Sequence, residues 1–285
     1  MIRLGVVGHR GYERLPDLLR AAVRLAPELR LAIHVENDLQ DLVPDAEPLE
    51  PLRGLDALMT LGGDGTMLRG ARLLGGRPVP IIGVNIGRLG FLTSCGGDEL
   101  LDGLCRFARG DYRAEPRMAL DARALDRGGV ERRRWYALND VVLHKGGFAR
   151  VVRLAVASNG EAIAAYAADG IVISTPTGST AYSLSAGGPI VEPTVDSIVL
   201  TPISPHTLAI RPLVLPPTAS LRVWAEDGPE ELLVTVDGQV GTTFAEGEVL
   251  EVTRADTPVL LVRFPGTTYY TRLRNKLGWG GAPQG

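Results

Sequence analysis

Gly62-Gly63-Asp64-Gly65-Thr66 places a lone carboxylate among three glycines. An apolar run at 55–61 precedes the pentapeptide and a helical pattern at 67–74 follows it, which predicts a strand-to-helix turn. Glycines there let the backbone approach a ligand closely and reach positive φ. The helix N-terminus beyond offers unpaired N–H groups and the positive end of a dipole, which suits phosphate. A carboxylate in that place repels phosphate. Asp64 therefore reads as a base, or as the holder of a metal-bound water beside a phosphate, rather than as a phosphate ligand. The same five residues also fit an ordinary corner in which Thr66 caps the helix.

A second block runs from Asp169 to Pro189. A buried strand pattern at 171–174 enters a hydroxyl-rich turn, and a short helix starts near Gly178 and ends before Gly187-Gly188-Pro189. The hydroxyls of Thr177, Ser179 and Thr180 can cap that helix or bind a ligand. Tyr182 adds a ring to stack and a hydroxyl to donate. So many small polar residues exceed what one cap requires.

Two shorter features join these. The segment at 85–92, Asn-Ile-Gly-Arg-Leu-Gly-Phe-Leu, follows a strand pattern at 79–84, at the carboxyl end of the expected sheet. Open α/β sheets bind ligands there. Phe91 could line a base pocket and Arg88 could face phosphate, or the segment could be a plain loop. Asn139-Asp140 interrupts an apolar strand pattern, and polar groups in such a run need partners if buried. They can hold ribose hydroxyls, or mark a bulge or edge. His9, His34, His144 and His206 show no metal-ligand spacing, and His206 reads as a structural hydrogen-bonding residue. Gly5, Gly8 and Gly11 do not have the spacing of the dinucleotide fingerprint.

The elements that must position these groups fall into two classes. Strand patterns at 2–7, 29–35, 55–61 and 79–84 alternate with helical ones at 15–26, 65–74 and 99–109, which predicts βαβ units and a mostly parallel sheet. The acidic, proline-bearing stretch at 38–51 reads as an exposed loop. After Gly110 short strands follow one another, at 118–125, 133–143, 150–158, 171–174, 197–202, 220–225, 232–237 and 249–255, with turn signals at Gly128-Gly129 and Asn159-Gly160. The expectation is an α/β N-terminal domain over 1–115 and an all-β, sandwich-like C-terminal domain over 116–270. The tail at 271–285 is expected to pack back on the first.

Composition narrows the function classes. With 285 residues and 45% of them hydrophobic, the chain can build one large core or two ordinary ones. A net charge of −3 gives no bulk attraction to nucleic acid. The basic cluster at 132–134 reads as a solvated strand edge. Cys95 and Cys105 fit neither a zinc pattern nor a disulfide framework, which points to a reducing compartment. No apolar stretch approaches the ~20 residues that span a bilayer. The expectation is a soluble, cytoplasmic protein without nucleic-acid or membrane partners.

Taken in order, the residues at 62–68, 85–92, 139–140, 169–189, 205–214, 237–239 and 276–279 resemble the bacterial NAD kinases over nearly the whole chain. The block at 175–189 is highly specific. The Gly-Gly-Asp-Gly-Thr motif is shared more widely, with diacylglycerol and sphingosine kinases and 6-phosphofructokinases. The resemblance implies homodimers or homotetramers, with NAD bound between domains and partly by a neighbouring subunit. It implies phosphorylation of the adenosine ribose 2′-hydroxyl of NAD to give NADP. The donor is ATP with a divalent metal, and in some relatives another nucleoside triphosphate or polyphosphate.

The resemblance also implies roles. Asp64 accepts or orients the 2′-hydroxyl proton, and Gly62, Gly63 and Gly65 keep the backbone near the phosphates. Asn139 and Asp140 hold ribose hydroxyls and base edges. Thr180, Ala181, Tyr182 and Ser185, with Thr177, Ser183 and Leu184 of the same turn, form the nucleoside pocket. Asp169 and Gln239 complete the dinucleotide site, beside Phe91 and Ala167. Arg69 and Arg150 are candidate cations for phosphate. Mg²⁺ arrives on the nucleotide, with no metal ligand from the protein. Two positions depart from the family pattern: Asp140 replaces a usual Glu and is one methylene shorter, and Ala167 replaces a frequent Arg. A lipid kinase and a dinucleotide sensor without catalysis are the rival expectations.

Overall fold

The first strand, β1 (Ile2–Gly8), is buried from Leu4 onward. Helix α1 (Leu15–Leu25) carries Pro16 in its first turn, where a missing N–H leaves no bond unmade. It buries Leu15, Leu19 and Ala22, one stripe of a 3.6-residue period. Then come β2 (Leu31–Val35), β3 (Glu47–Pro48), β4 (Ala57–Gly62), α2 (Asp64–Leu74), β5 (Ile81–Asn85), β6 (Cys95–Gly96), α3 (Leu100–Arg109) and β7 (Arg113–Arg117). Left-handed Gly75 and Gly110, φ +55° and +76°, terminate α2 and α3.

A run of β structure follows: β8 (Leu120–Leu125), β9 (Glu131–Ala137), β10 (Asp140–Lys145), β11 (Val152–Ser158), β12 (Glu161–Ala168) and β13 (Gly170–Ser174). The short helix α4 (Tyr182–Ser185) precedes β14 (Ile198–Ile203), β15 (Leu213–Leu215), β16 (Leu221–Asp227), β17 (Leu232–Val236), β18 (Val240–Phe244) and β19 (Val249–Arg254). The chain ends with β20 (Val259–Arg263) and α5 (Tyr269–Leu277). This computed structural model describes residues 1–50, 52–87, 90–146, 152–207, 209–227, 232–266 and 268–279. Arg88 and Arg150 lie outside the described residues.

The chain divides into two units, 1–116 with 259–285, and 117–258. In the first, the sheet order is β3-β2-β1-β4-β5-β20-β7, with β6 on β5. The pairs β1/β2, β1/β4, β4/β5 and β5/β20 are all parallel. The chain returns to this sheet at β20, earlier than the tail expected from residue 271. The Val-Leu-Leu-Val run buries Val259, Leu261 and Val262 beside β5, and Ser94 Oγ donates to the Val262 carbonyl at 2.6 Å.

Residues 38–50 are not simply an exposed loop, and Pro51 lies outside the described residues. Residues Asn37–Leu42 form a 3₁₀ turn, and Leu39, Val43 and Leu49 are buried. Gly5 and Gly8 leave the room these side chains need: a Cβ on Gly5 would lie 2.6 Å from Leu49 Cδ1, and one on Gly8 3.1 Å from Leu39 Cδ1.

The second unit holds two six-stranded sheets, β15-β14-β13-β10-β17-β18 and β12-β11-β16-β19-β8-β9. Their inward faces share one core, including Val141, Leu143, Ile171 and Ile173 from the first sheet and Leu120, Leu154, Val223 and Leu250 from the second. The strand expected at 133–143 is two strands, because the chain changes sheets at Leu138–Asn139. Asn159 and Gly160, with φ +51° and +86°, make the β11–β12 hairpin that their types predict.

Candidate active site

In the first unit, β1 leads to β2 on one side and has β4 on the other. The strand order reverses there, and open α/β sheets bind ligands beyond the carboxyl ends of the strands at such a point. Three backbone corners meet at that end. The Leu61 carbonyl accepts the His9 N–H at 3.0 Å, and the Gly62 carbonyl accepts the Ile86 N–H at 3.0 Å. Buried Asn85 fixes the third corner, its Oδ1 accepting the Gly87 N–H at 2.9 Å. Tyr12 packs between two of the corners. A Cβ on Gly63 would lie 3.3 Å from its hydroxyl, and one on Gly87 3.2 Å from its ring. His9 meets the Tyr12 ring edge to face at 5.6 Å. Sequence reasoning missed Tyr12; its signal was an aromatic residue in the first loop after a parallel strand.

The glycine corner works by close approach, not by left-handed geometry. None of Gly62, Gly63 and Gly65 has positive φ, and Gly63 is extended at φ −106°, ψ −166°. A Cβ on Gly62 would collide with the Thr66 hydroxyl. Thr66 is the third residue of α2 and buried, so it is not the helix cap.

Asp64 opens α2, and its carboxylate is held from the far side. Oδ2 accepts the Phe91 N–H at 2.8 Å and Oδ1 accepts the Leu92 N–H at 3.1 Å. Gly90 makes room for this, since a Cβ there would run into the carboxylate itself. The segment expected as a base-pocket wall thus meets Asp64 through the backbone of Phe91. Charge-assisted bonds of this kind fix a carboxylate in one orientation.

Arg69, expected as a cation for phosphate, is engaged within the first unit. Its guanidinium donates to both Glu36 oxygens, at 2.6 and 2.8 Å, and to the Gly8 carbonyl at 2.7 Å. Glu36 also accepts the Gly8 N–H at 2.6 Å. The bond to Glu36 holds the guanidinium pKa above its ordinary value. Arg69 braces α2 against the end of β1.

The second unit, taken by itself, gathers the remaining candidates around the start of β10. Asp237 turns left-handed at φ +50° and accepts the N–H of Asn139 at 2.7 Å and of Asp140 at 3.3 Å. From the other side, the Asn139 carbonyl accepts the Thr175 N–H at 2.9 Å, and the Thr175 hydroxyl donates to the Leu138 carbonyl at 2.6 Å. The backbone of Asn139 is therefore fixed while its side chain stays half-buried. The Asp140 carboxyl is 3% exposed, and burial, then the charge of Asp237, push its pKa up to about 7. Directly across the β10–β13 pair sits Ser174, whose buried Oγ has no hydrogen-bond partner among the described residues.

The hydroxyl-rich turn divides into inward and outward residues. Ser179 Oγ donates to the Pro176 carbonyl at 2.7 Å and accepts the Val191 N–H at 3.0 Å. The Thr177 hydroxyl is buried and accepts from Arg117 at 3.3 Å. Ser183 is buried too, bonded to the Thr201 hydroxyl at 2.9 Å. These three bind the turn to its own unit, and the Thr177 and Ser183 hydroxyls, both expected at the nucleoside, are bonded within it. Thr180, Ala181 and Leu184 are half-buried, Ser185 is exposed, and Tyr182 is 46% exposed.

Asp169 pairs with Lys145 at 2.7 Å. Ala167 lies on the edge strand β12 opposite Arg153, and its carbonyl accepts the His206 N–H at 2.9 Å. Arg153 itself donates to Glu226 at 2.6 Å. Gln239 is exposed on the β17–β18 turn. Both cysteines are free thiols, and burial pushes Cys95 up to about 12. Among the described residues no three His, Cys, Asp or Glu side chains gather to hold a metal ion.

Comparison with known proteins agrees with this layout. Residues 30–112 match the model of the ATP-NAD kinase N-terminal domain, and 138–264 match that of the ATP-NAD kinase C-terminal domain. An NAD kinase of Gemmatimonas aurantiaca is 62% identical over 280 residues, covering 98% of this chain and 97% of its own. That of Syntrophotalea carbinolica is 40% identical over 288 residues, covering 98% and 99%. Among solved structures, yeast NADH kinase complexed with NADH superposes with a TM-score of 0.89 at 25% identity, covering 99% of this chain and 89% of its own. An NAD kinase from Archaeoglobus fulgidus in complex with ATP gives 0.76 at 26% identity, covering 97% and 98%. With its two-unit fold, its glycine-corner carboxylate and full-length relatives at this level of identity, the chain belongs to the NAD kinase family.

Proposed function

We propose that this chain transfers the terminal phosphoryl group of ATP to the adenosine ribose 2′-hydroxyl of NAD, giving NADP. The observation that carries the reading is Asp64, a carboxylate at the first turn of α2 held by two backbone N–H groups. Phosphoryl transfer needs positioning, charge neutralisation and an oriented nucleophile. In this reading Asp64 takes the 2′-hydroxyl proton as the oxygen attacks the γ-phosphorus and ADP leaves. General-base help of this kind contributes about 10²–10⁴-fold. Gly62, Gly63 and Gly65 let the backbone stand close to the phosphates. Mg²⁺ enters on the nucleotide as part of the substrate.

The nucleoside is read by the outward members of the second unit, the Asn139 side chain, Thr180, Ala181, Tyr182, Leu184 and Ser185, with Asp169 and Gln239, and by the buried Asp140 beside them. Asp140, one methylene shorter than a Glu and raised to about 7 by burial and then by the charge of Asp237, sets that contact from within the fold. The first domain, over 1–115, carries the chemistry, and the second carries dinucleotide binding and self-assembly into a dimer or tetramer. The enzyme works in the cytoplasm. The test is direct. Purified protein with NAD and Mg-ATP forms NADP, measured with an NADP-specific dehydrogenase, and a parallel arm replaces ATP by polyphosphate. Binding of NAD without turnover under every donor, or phosphorylation of a lipid instead, overturns the reading.

A further inference from the structure

We propose that Arg263 and Arg272, from the returning C-terminal segment, are positioning residues for Asp64 and act on it through the Phe91–Leu92 peptide. The inference rests on the reading of Asp64 as the base. Its foundation is one peptide unit. The N–H of Leu92 donates to Asp64 Oδ1 at 3.1 Å. The carbonyl of that same peptide, Phe91 O, accepts from Arg272 Nη1 at 3.1 Å and from Arg263 Nη2 at 3.3 Å. The neighbouring carbonyls are held as well. Arg263 Nη1 donates to Leu92 O and Thr93 O, both at 2.8 Å, and Arg272 Nη1 also donates to Thr93 O. Three consecutive carbonyls thus point at two guanidiniums, while the amides of Phe91 and Leu92 point at the carboxylate.

Two physical effects follow. A cation on a peptide carbonyl polarises the peptide and strengthens the bond its N–H donates, the cooperativity of hydrogen-bonded chains. The fork of an Arg fixes the peptide plane, and the plane sets the direction of the N–H groups. A mere structural clamp on a loop does not require such a setting. Arg272 is 4% exposed, and burying a guanidinium is costly unless it is well bonded. Its bonds to the Phe91 and Thr93 carbonyls go to the loop that holds Asp64. Arg263, on β20, comes within 3.9 Å of Glu115, so its second anchor is on the sheet beside it. Arg272 lies on α5 and Arg263 on β20, so two separate elements converge on one backbone segment.

The experiment compares R263K, R272K and D64N with the natural chain, and adds each Lys variant in the D64N background. Lysine keeps the charge and loses the fork, and thermal unfolding verifies that each variant folds. The expected result is a kcat at least tenfold lower for R263K and R272K, a KM for NAD within about twofold, and little further loss when either change is added to D64N. Chemistry that runs through Asp64 cannot be lost twice. An unchanged kcat, a loss confined to KM, or the same fold-loss with and without Asp64 overturns the positioning role. Should D64N turn over normally, the base reading fails, which is a distinct outcome. If R272K does not fold, R263K, whose side chain is less buried, carries the same comparison alone.

Discussion

Asp140 and Asp237 are tied to each other twice through the backbone: the Asp237 carboxylate accepts the Asp140 N–H at 3.3 Å, and the Asp140 carbonyl accepts the Asp237 N–H at 2.9 Å. Their side chains are both buried, at 3% and 5% exposure. Burial first, and the Asp237 charge second, raise Asp140 from its ordinary 3.8 to about 7. The folded chain therefore binds a proton at Asp140 that the unfolded chain releases near pH 4. That contribution to stability is fully present below the unfolded pKa and is lost as pH rises through about 7. The thermal midpoint of the natural chain should fall between pH 5 and 8 more steeply than that of D140N. Parallel melting curves across that range check it, and equal slopes refute it.

Gly90 is the smallest change with the largest expected effect on chemistry. The atoms a Cβ would strike belong to the end of the Asp64 side chain, not to backbone. To clear a methyl the carboxylate must leave the Phe91 and Leu92 N–H groups it accepts from. G90A should lower kcat at least tenfold, with a loss of Tm limited to the few degrees that those two bonds account for. A melt and a steady-state assay on one preparation settle it.

Gly178 makes the opposite case. A Cβ there would run into the Asn139 carbonyl and its Cα, which are backbone. Neither can yield without breaking the bonds to Thr175 and Asp237. Overpacking of this kind costs about 1–3 kcal/mol. G178A should unfold at lower denaturant concentration, and its KM for NAD should rise because Asn139 is displaced. A midpoint equal to that of the natural chain would show that the turn has slack the geometry denies.

Tyr182 and Ser183 are adjacent and should separate cleanly. Y182A removes an exposed ring and should raise KM for NAD about tenfold with Tm unchanged. S183A breaks a buried hydroxyl pair with Thr201, worth about 1 kcal/mol. It should lower Tm and leave KM alone. The two readouts exchanged would place the nucleoside contacts on the other face of the turn.

Arg69 should behave as half of an ion pair. R69A and E36A are each expected to cost about 1–3 kcal/mol, the range for hydrogen bonds to charged groups. The double variant should cost much less than their sum, because both remove the same bonds. Additive losses, or a change in KM for ATP from R69A alone, would restore a phosphate role.

Local chemistry was legible wherever one residue type admits few conformations. The Asn159-Gly160 hairpin and the parallel βαβ alternation announced themselves through turn chemistry and period. The strand at Glu161–Ala168 did not, because five of its eight residues are alanine, which favours helix until a neighbouring strand supplies the ladder. Position along a turn was equally silent: nothing in the types of Tyr182 and Ser183 says which faces outward. Asp64 was visible from its glycines, whereas Arg263 and Arg272 were not. They lie 172 and 181 residues from Phe91, and only the fold brings them to it. The pairing of Arg69 with Glu36 was hidden as well, because 33 residues separate them.

The late return of β20 sets an order of events during synthesis. A nascent chain that has emerged through residue 116 holds Asp64 and its glycines, yet β5 still lacks its β20 partner and Ser94 lacks its Val262 acceptor. The ribosome must deliver the entire inserted unit before either guanidinium reaches the loop beside Asp64. Incomplete translation products thus carry the motif without its final fastening, and the loop beside Asp64 is secured last.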